Sequence, residues 1–189
     1  LLGLAGFGAY TYLNRGPTYP KAWDKRVEPI AKWVAEEREL EFNHPVEVVF
    51  LSEKEYTARS TDDGSTPDKE SQKELDEQVA QMRALGMVSG KVDLRAASNT
   101  LSDSGTLAFY DQHEKKVFVR GTKMTPALRV TLAHELTHVL QDQHFDLDLG
   151  GDRGQVQRAL AEGDAGRIED EYRTKVLTDD EQTAADEVE

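Results

Sequence analysis

No cysteine occurs in the 189 residues. Disulfide frameworks and thiolate metal sites are therefore excluded, and any zinc must be held by histidine and carboxylate. Positive charge is scarce too. Lys and Arg number 23 against 36 Asp and Glu, which leaves a net charge of −13. That balance cannot neutralise a phosphate backbone, so nucleic acid is excluded as a partner. Internal repeats are lacking. The acids and glycines of Asp146-Leu147-Asp148-Leu149-Gly150-Gly151-Asp152 lack EF-hand spacing and read as an interhelical loop. No hydrophobic run reaches the roughly 20 residues of a bilayer span. The nearest approach is the uncharged, largely apolar run of residues 1–13, closed by Asn14-Arg15-Gly16-Pro17. It begins at Leu and carries Tyr10 and Tyr12 near its end, as the tail of a transmembrane or signal segment would. We therefore expect residues 1–14 to be the remnant of such a segment. Residues 15–189 are expected to form a single domain, continuing past both ends and tethered outside the cytoplasmic membrane. With 38% hydrophobic residues, the chain can bury one good core.

What is present is concentrated in His134-Glu135-Leu136-Thr137-His138, an HExxH motif. The chain has 5 His and 19 Glu, so about 0.013 such matches are expected by chance, and the motif is treated as signal. On a helix, residues i and i+4 fall about 40° apart, so both imidazoles can reach one zinc ion. Glu135 stands one residue along, placed to hold the attacking water as general base. The helix around it should run from about Thr125 to His144. Thr125-Pro126 supplies a cap and a proline at the first helical position. Leu128, Leu132, Leu136, Val139 and Leu140 make its core stripe, with the two histidines beside the stripe. Asp142 continues the metal face and could orient a ligand from the outer shell.

The remaining elements are expected as follows. Trp23, Val27, Ile30 and Val34 repeat at helical spacing between about Lys21 and Leu40, with Pro29 able to start a second piece. Val46–Leu51 reads as a strand. Thr57–Gln72 reads as a loop, and a helix from about Pro67 to Leu85 stops at Gly86. Thr106–Tyr110 and Lys116–Arg120 flank a turn and signal a hairpin. His113, in that turn, and His44, beside Pro45, are expected to be exposed and not to be ligands. A last long helix spans about Gln155 to Val176. It carries Glu162 among Ala159, Ala161, Gly163, Ala165 and Gly166, small neighbours that would let it approach the motif helix closely. The closing acids Asp179, Asp180, Glu181, Asp186, Glu187 and Glu189 read as a solvated tail or helix. The fold class is α+β.

HExxH followed by Ala161-Glu162-Gly163-Asp164-Ala165 resembles the zincin metallopeptidases of the gluzincin type, the group of thermolysin-like enzymes and related aminopeptidases. The phrase from His134 to Leu147 followed by Glu162-Gly163-Asp164-Ala165 is similar to bacterial membrane-anchored zinc metallopeptidases of uncharacterised role. The resemblance covers about Thr106 to Tyr172. It implies a zincin-like fold, with a small antiparallel or mixed sheet, the HExxH helix and a second ligand-bearing helix. It implies Zn2+ on His134, His138 and Glu162, Glu135 as catalytic base, and a peptide or protein substrate. It places the substrate-binding strand at Lys116–Arg120, with Val117–Val119 as the open edge. Gluzincins add a His or Tyr electrophile further on. No His follows His144, so Tyr172, or a residue beyond the end of the chain, would serve.

A rival third ligand is His144, six residues after His138 in metzincin spacing. Metzincins need Gly three residues after the second His, where this chain has Gln141. If the helix continues, six residues rotate His144 about 120° away from His138, so Glu162 is preferred. The expected reaction is metal-assisted peptide hydrolysis. The alternative is a catalytically inactive zinc-binding interaction domain of the cell envelope. An N-terminal half folded over the cleft of a self-inhibited precursor is a third possibility.

Overall fold

The computed structural model describes residues 18–60, 69–92, 106–147 and 151–187. The membrane or signal segment expected at residues 1–14 lies outside them. Among the described residues the fold is α+β, with six helices around one three-stranded sheet. No described helix is long and apolar enough to cross a membrane.

Helix α1 (Glu28–Arg38) opens with Glu28-Pro29 and buries Ile30, Ala31 and Val34. The helix expected from Lys21 starts only here. The Asp24 carbonyl takes the N–H groups of Val27 and Glu28 at 2.9 Å, which makes a turn before the proline. Strand β1 (Glu47–Leu51) follows. The expected loop from Thr57 is partly overturned, because α2 (Glu53–Ser60) includes its first residues. Ser52 starts this helix: its N–H donates to Glu55 Oε2 at 3.0 Å, and its hydroxyl accepts the Glu55 N–H. One aromatic residue then anchors it, as Tyr56 is fully buried with its ring against Phe109. Helix α3 (Lys69–Ala84) ends at Gly86, whose φ of 72° is glycine territory.

The hairpin forms as expected, from β2 (Ala108–Asp111) and β3 (Lys116–Arg120). Its place in the sheet corrects one expectation. The strand order is β1-β3-β2, with β3 parallel to β1 and antiparallel to β2. Lys116–Arg120 is therefore the central strand, and Val117–Val119 offers no open edge. Three consecutive buried apolar residues, Val117, Phe118 and Val119, suit a strand covered on both faces. Ala108, Val117 and Val119 belong to the main core, while Phe118 lies beside Phe109, which in turn meets Tyr56. The edge facing the motif is β2.

Helix α4 (Pro126–Phe145) is the centre of the molecule. Thr125 caps it by accepting the Leu128 N–H at 3.2 Å, and the whole expected leucine–valine stripe is buried. Helix α5 (Gly151–Val176) starts four residues earlier than expected and packs on α4 through Ala161, Ala165, Ile168 and Tyr172. The two alanines allow the close approach. Gly163 and Gly166 do not contribute to it, since a Cβ at either would meet open space. Of the closing acids, Asp179, Asp180, Glu181 and Asp186 lie in α6 (Asp179–Asp186), opened by a Thr178/Glu181 capping box and tied to the body by Arg129–Glu181 and Arg173–Asp186 pairs, and Glu189 lies outside the described residues.

Candidate metal centre

His134 and His138 stand one turn apart on α4, half-buried, with their Nε2 atoms 3.1 Å apart. Glu162 reaches them from α5: its Oε2 lies 3.3 Å from His134 Nε2 and 3.4 Å from His138 Nε2. The three sequence-predicted ligands are thus brought together, and they form the His/carboxylate group with metal-binding spacing among the described residues. A tetrahedral ion with bonds of about 2.0–2.1 Å sets its ligand atoms about 3.3 Å apart, so the triangle has the right size.

The second ring nitrogens both act as donors. His134 Nδ1 meets Glu169 Oε2 at 2.9 Å, and a carboxylate can only accept. His138 Nδ1 meets Gln141 Oε1 at 3.0 Å. The orientation of that amide is fixed by its other end, where Nε2 donates to Ala161 O at 3.0 Å and Asp164 Oδ2 at 2.8 Å. Both histidines therefore donate from Nδ1, and in a neutral ring Nε2 presents its lone pair. With both rings neutral, two imidazole lone pairs and a carboxylate oxygen converge. Such an arrangement is relieved by a proton on one Nε2 or by a cation between the three atoms. A divalent ion suited to nitrogen and oxygen donors fits the group.

Sequence reasoning missed these outer partners. Glu169 lies seven residues after Glu162, two turns along the same face of α5, and that spacing was the available signal. Gln141 lies three residues after His138. The outer-shell role expected of Asp142 is not observed. Asp142 is buried, and its Oδ2 accepts from the Tyr110 hydroxyl at 2.6 Å and from Lys115 Nζ at 2.6 Å. It fastens the β2–β3 hairpin to α4 instead of touching a ligand.

Glu135 sits beside the triad, with Oε2 accepting the Tyr110 N–H at 2.8 Å. That N–H points away from the sheet. Arg120 N donates to Leu107 O at 2.8 Å, so positions 107, 109 and 111 face β3, and Ala108 and Tyr110 turn their backbone groups to the open edge. Burial pushes the Glu135 carboxyl up to about 7, against the opposing pull of His134 and the Tyr110 N–H. A dication nearby would act in the opposite direction. Burial also works to lower His134, but Glu169, with Glu135 and Glu162, outweighs it and holds His134 above its ordinary value. At His138 burial prevails, and its pKa is lowered.

A cavity of about 490 Å3 opens over these groups, lined by Phe109, Tyr110, His113, His134, Glu135, His138, Arg158 and Glu162 among others. Tyr172 is not among its lining residues. Its ring is buried edge-on to Trp33 at 5.0 Å, and burial pushes its phenol pKa up. The role of electrophile expected of Tyr172 is thereby contradicted. His144 is also remote: its Nε2 meets Glu41 O at 2.8 Å, and α4 runs through to Phe145 without the turn that would bring it back. His113 is exposed, as expected, at the cavity rim. His44 is not fully exposed, being half-buried and stacked on Tyr19 at 3.4 Å.

Comparison with protein-family models, with curated proteins and with solved structures returns no match.

Proposed function

We propose that residues 15–189 form a single zincin-like domain that hydrolyses peptide bonds with one zinc ion, held by His134, His138 and Glu162. The observation that carries this reading is the convergence of two imidazole nitrogens and a carboxylate oxygen, 3.1–3.4 Å apart, beside a buried carboxylate in an open cavity. A zinc ion there would lower the pKa of a water from 15.7 to about 7 and polarise a scissile carbonyl. Glu135 takes the water's proton and passes it to the leaving amine. One of its oxygens is committed to the Tyr110 N–H, which leaves the other for the transfer. An extended substrate pairs with the β2 edge, where the carbonyls of Ala108 and Tyr110 face outward.

The substitution Glu135→Gln tests the reading. The amide keeps the shape and cannot accept the proton. Zinc content should persist, and hydrolysis of casein or a peptide library should disappear. Equal cleavage by both forms would remove Glu135 from the mechanism. A second reading, an inactive zinc-binding interaction domain, is favoured by one observation: Tyr172 lies in the core, and the described cavity lining includes no His or Tyr from beyond His138. A zinc-loaded wild type that cleaves nothing would select it.

The apolar residues 1–13 support a location at the outer face of the cytoplasmic membrane. Fractionation of cells expressing the full-length gene checks this, and recovery wholly in the cytosol would count against the tether.

A further inference from the structure

We infer that Arg158 selects peptides carrying a carboxylate within about two residues of the scissile bond. The inference rests on the peptidase reading and adds a substrate class to it. Arg158 precedes Glu162 by four residues on α5, so the two side chains share a helix face one turn apart, and both line the cavity. The helical rise sets their Cα atoms about 6 Å apart along the axis. An extended peptide advances about 3.3 Å per residue. A carbonyl placed over the histidines therefore puts groups one or two residues away within reach of the guanidinium.

Charge supports a carboxylate as the partner. Among the described residues that line the cavity, Arg158 carries the permanent positive charge. The cavity's own acids are engaged elsewhere. Glu162 faces the two histidines, Glu135 accepts the Tyr110 N–H, and Asp111 Oδ1 accepts the N–H groups of His113 and Glu114 at 2.8 and 2.9 Å. Arg158 has an interaction of its own. A guanidinium offers five donors in a planar fork, the geometry that gives two parallel bonds to a carboxylate. The chain as a whole carries a charge of −13 and repels acidic peptides at long range. Selection for acid in the cleft thus has to be a short-range, local effect, which is what one arginine provides.

The required carboxylate could be an acidic side chain or a peptide C-terminus, and the test separates the two. The probes are short peptide hydroxamates, which anchor on a metal ion. One pair places Asp or Asn next to the anchor, and another ends in a free carboxylate or an amide. Affinities are measured by calorimetry on the zinc-loaded chain, for wild type and R158Q. The wild type should bind a carboxylate compound about tenfold tighter than its amide partner, and R158Q should abolish that ratio. Preference in the Asp pair alone assigns internal acidic residues, and preference in the terminal pair alone assigns a C-terminus. Equal affinities in the wild type, or a preference that survives in R158Q, overturn the inference while hydroxamate binding still upholds the metal site. If the zinc-loaded wild type binds no hydroxamate, the peptidase reading falls, and the inference falls with it.

Discussion

The Nε2 atoms of His134 and His138 face each other at 3.1 Å with their protons on the far sides of both rings. When both rings are neutral, these are two acceptors at hydrogen-bond distance with no donor between them, which costs free energy. The fold imposes this geometry through α4, whose other face is locked in the core by Leu132, Leu136, Val139 and Leu140. A cation turns the cost into binding, so the motif should stabilise the protein when metal is present and strain it when metal is removed.

The third ligand follows from which helix delivers it. Glu162 Oε2 completes the triangle, whereas His144 is occupied at Glu41 O. Glu162→Ala should weaken zinc binding strongly, and His144→Ala should leave it near normal. A zinc titration with the reverse pattern would restore the metzincin arrangement. Glu162 is 53% exposed, so its loss should cost metal affinity far more than folding stability.

The outer partners make a separate prediction. Glu169 and Gln141 hold the two imidazoles in the metal-binding tautomer. Removing such partners typically costs ten- to a hundredfold in metal affinity. Glu169→Ala and Gln141→Ala should each fall in that range by competition with a chelator. Gln141 also ties α4 to α5 through Ala161 O and Asp164, so its loss should lower thermal stability as well. Unchanged affinity in both variants would show that the histidines need no external orientation.

How much of this was legible in the sequence differs by element. The Thr125 cap, the α4 stripe and the His134/His138 pair follow from periodicity 3.6 and from residue chemistry, which act locally, whereas Glu162 was reached through its small neighbours and the family resemblance. The place of β3 in the middle of the sheet was missed because strand order is a long-range property, although the unbroken Val117-Phe118-Val119 run carried the sign of burial on both faces. Helix α2 was missed for another reason. Its sequence is polar, and tertiary contacts, Tyr56 on Phe109 and Arg59 over the Phe118 ring among them, override weak local preference. Tyr172 failed as an electrophile because Ala161, Ala165, Ile168 and Tyr172, at spacings of four, three and four, form the buried stripe of α5.

Glu135 gives the metal-free protein a defined dependence on pH. Its folded carboxyl retains a proton up to about pH 7, because burial disfavours the charge, against an ordinary value of 4.5. A raised folded pKa contributes stability that is full below about pH 4.5 and is lost as pH rises through about 7. The size at stake is on the order of 3 kcal/mol. Glu135→Gln removes the titration. His134, Glu162 and Glu169, which face Glu135, remain in both forms and largely cancel in the comparison. Chelator-treated wild type should therefore lose stability relative to Glu135→Gln between about pH 4.5 and 7, measured by denaturant unfolding. Parallel pH profiles would mean that Glu135 is not desolvated in solution.

Asp142 supplies the last prediction, because its partners belong to the hairpin and not to the metal group. Its side chain is 5% exposed, and one oxygen takes both the Tyr110 hydroxyl and the Lys115 ammonium at 2.6 Å. Lys115 stands at φ 54°, a left-handed conformation that costs a non-glycine residue free energy and that the ion pair helps to hold. Asp142→Ala strips a partly buried hydroxyl and a partly buried ammonium of their acceptor together. It should destabilise the fold by about 1–3 kcal/mol. Tyr110→Phe should cost less, and the double variant should fall short of the sum, since both remove one shared contact. Zinc affinity should hold in all three, because no ligand or outer partner is touched. Peptide hydrolysis should drop even so, because Tyr110 carries the N–H that fixes Glu135 and lies on the edge offered to substrate. Additive stabilities, or a loss of zinc in Asp142→Ala, would contradict the assignment of Asp142 to the hairpin and return it to the metal.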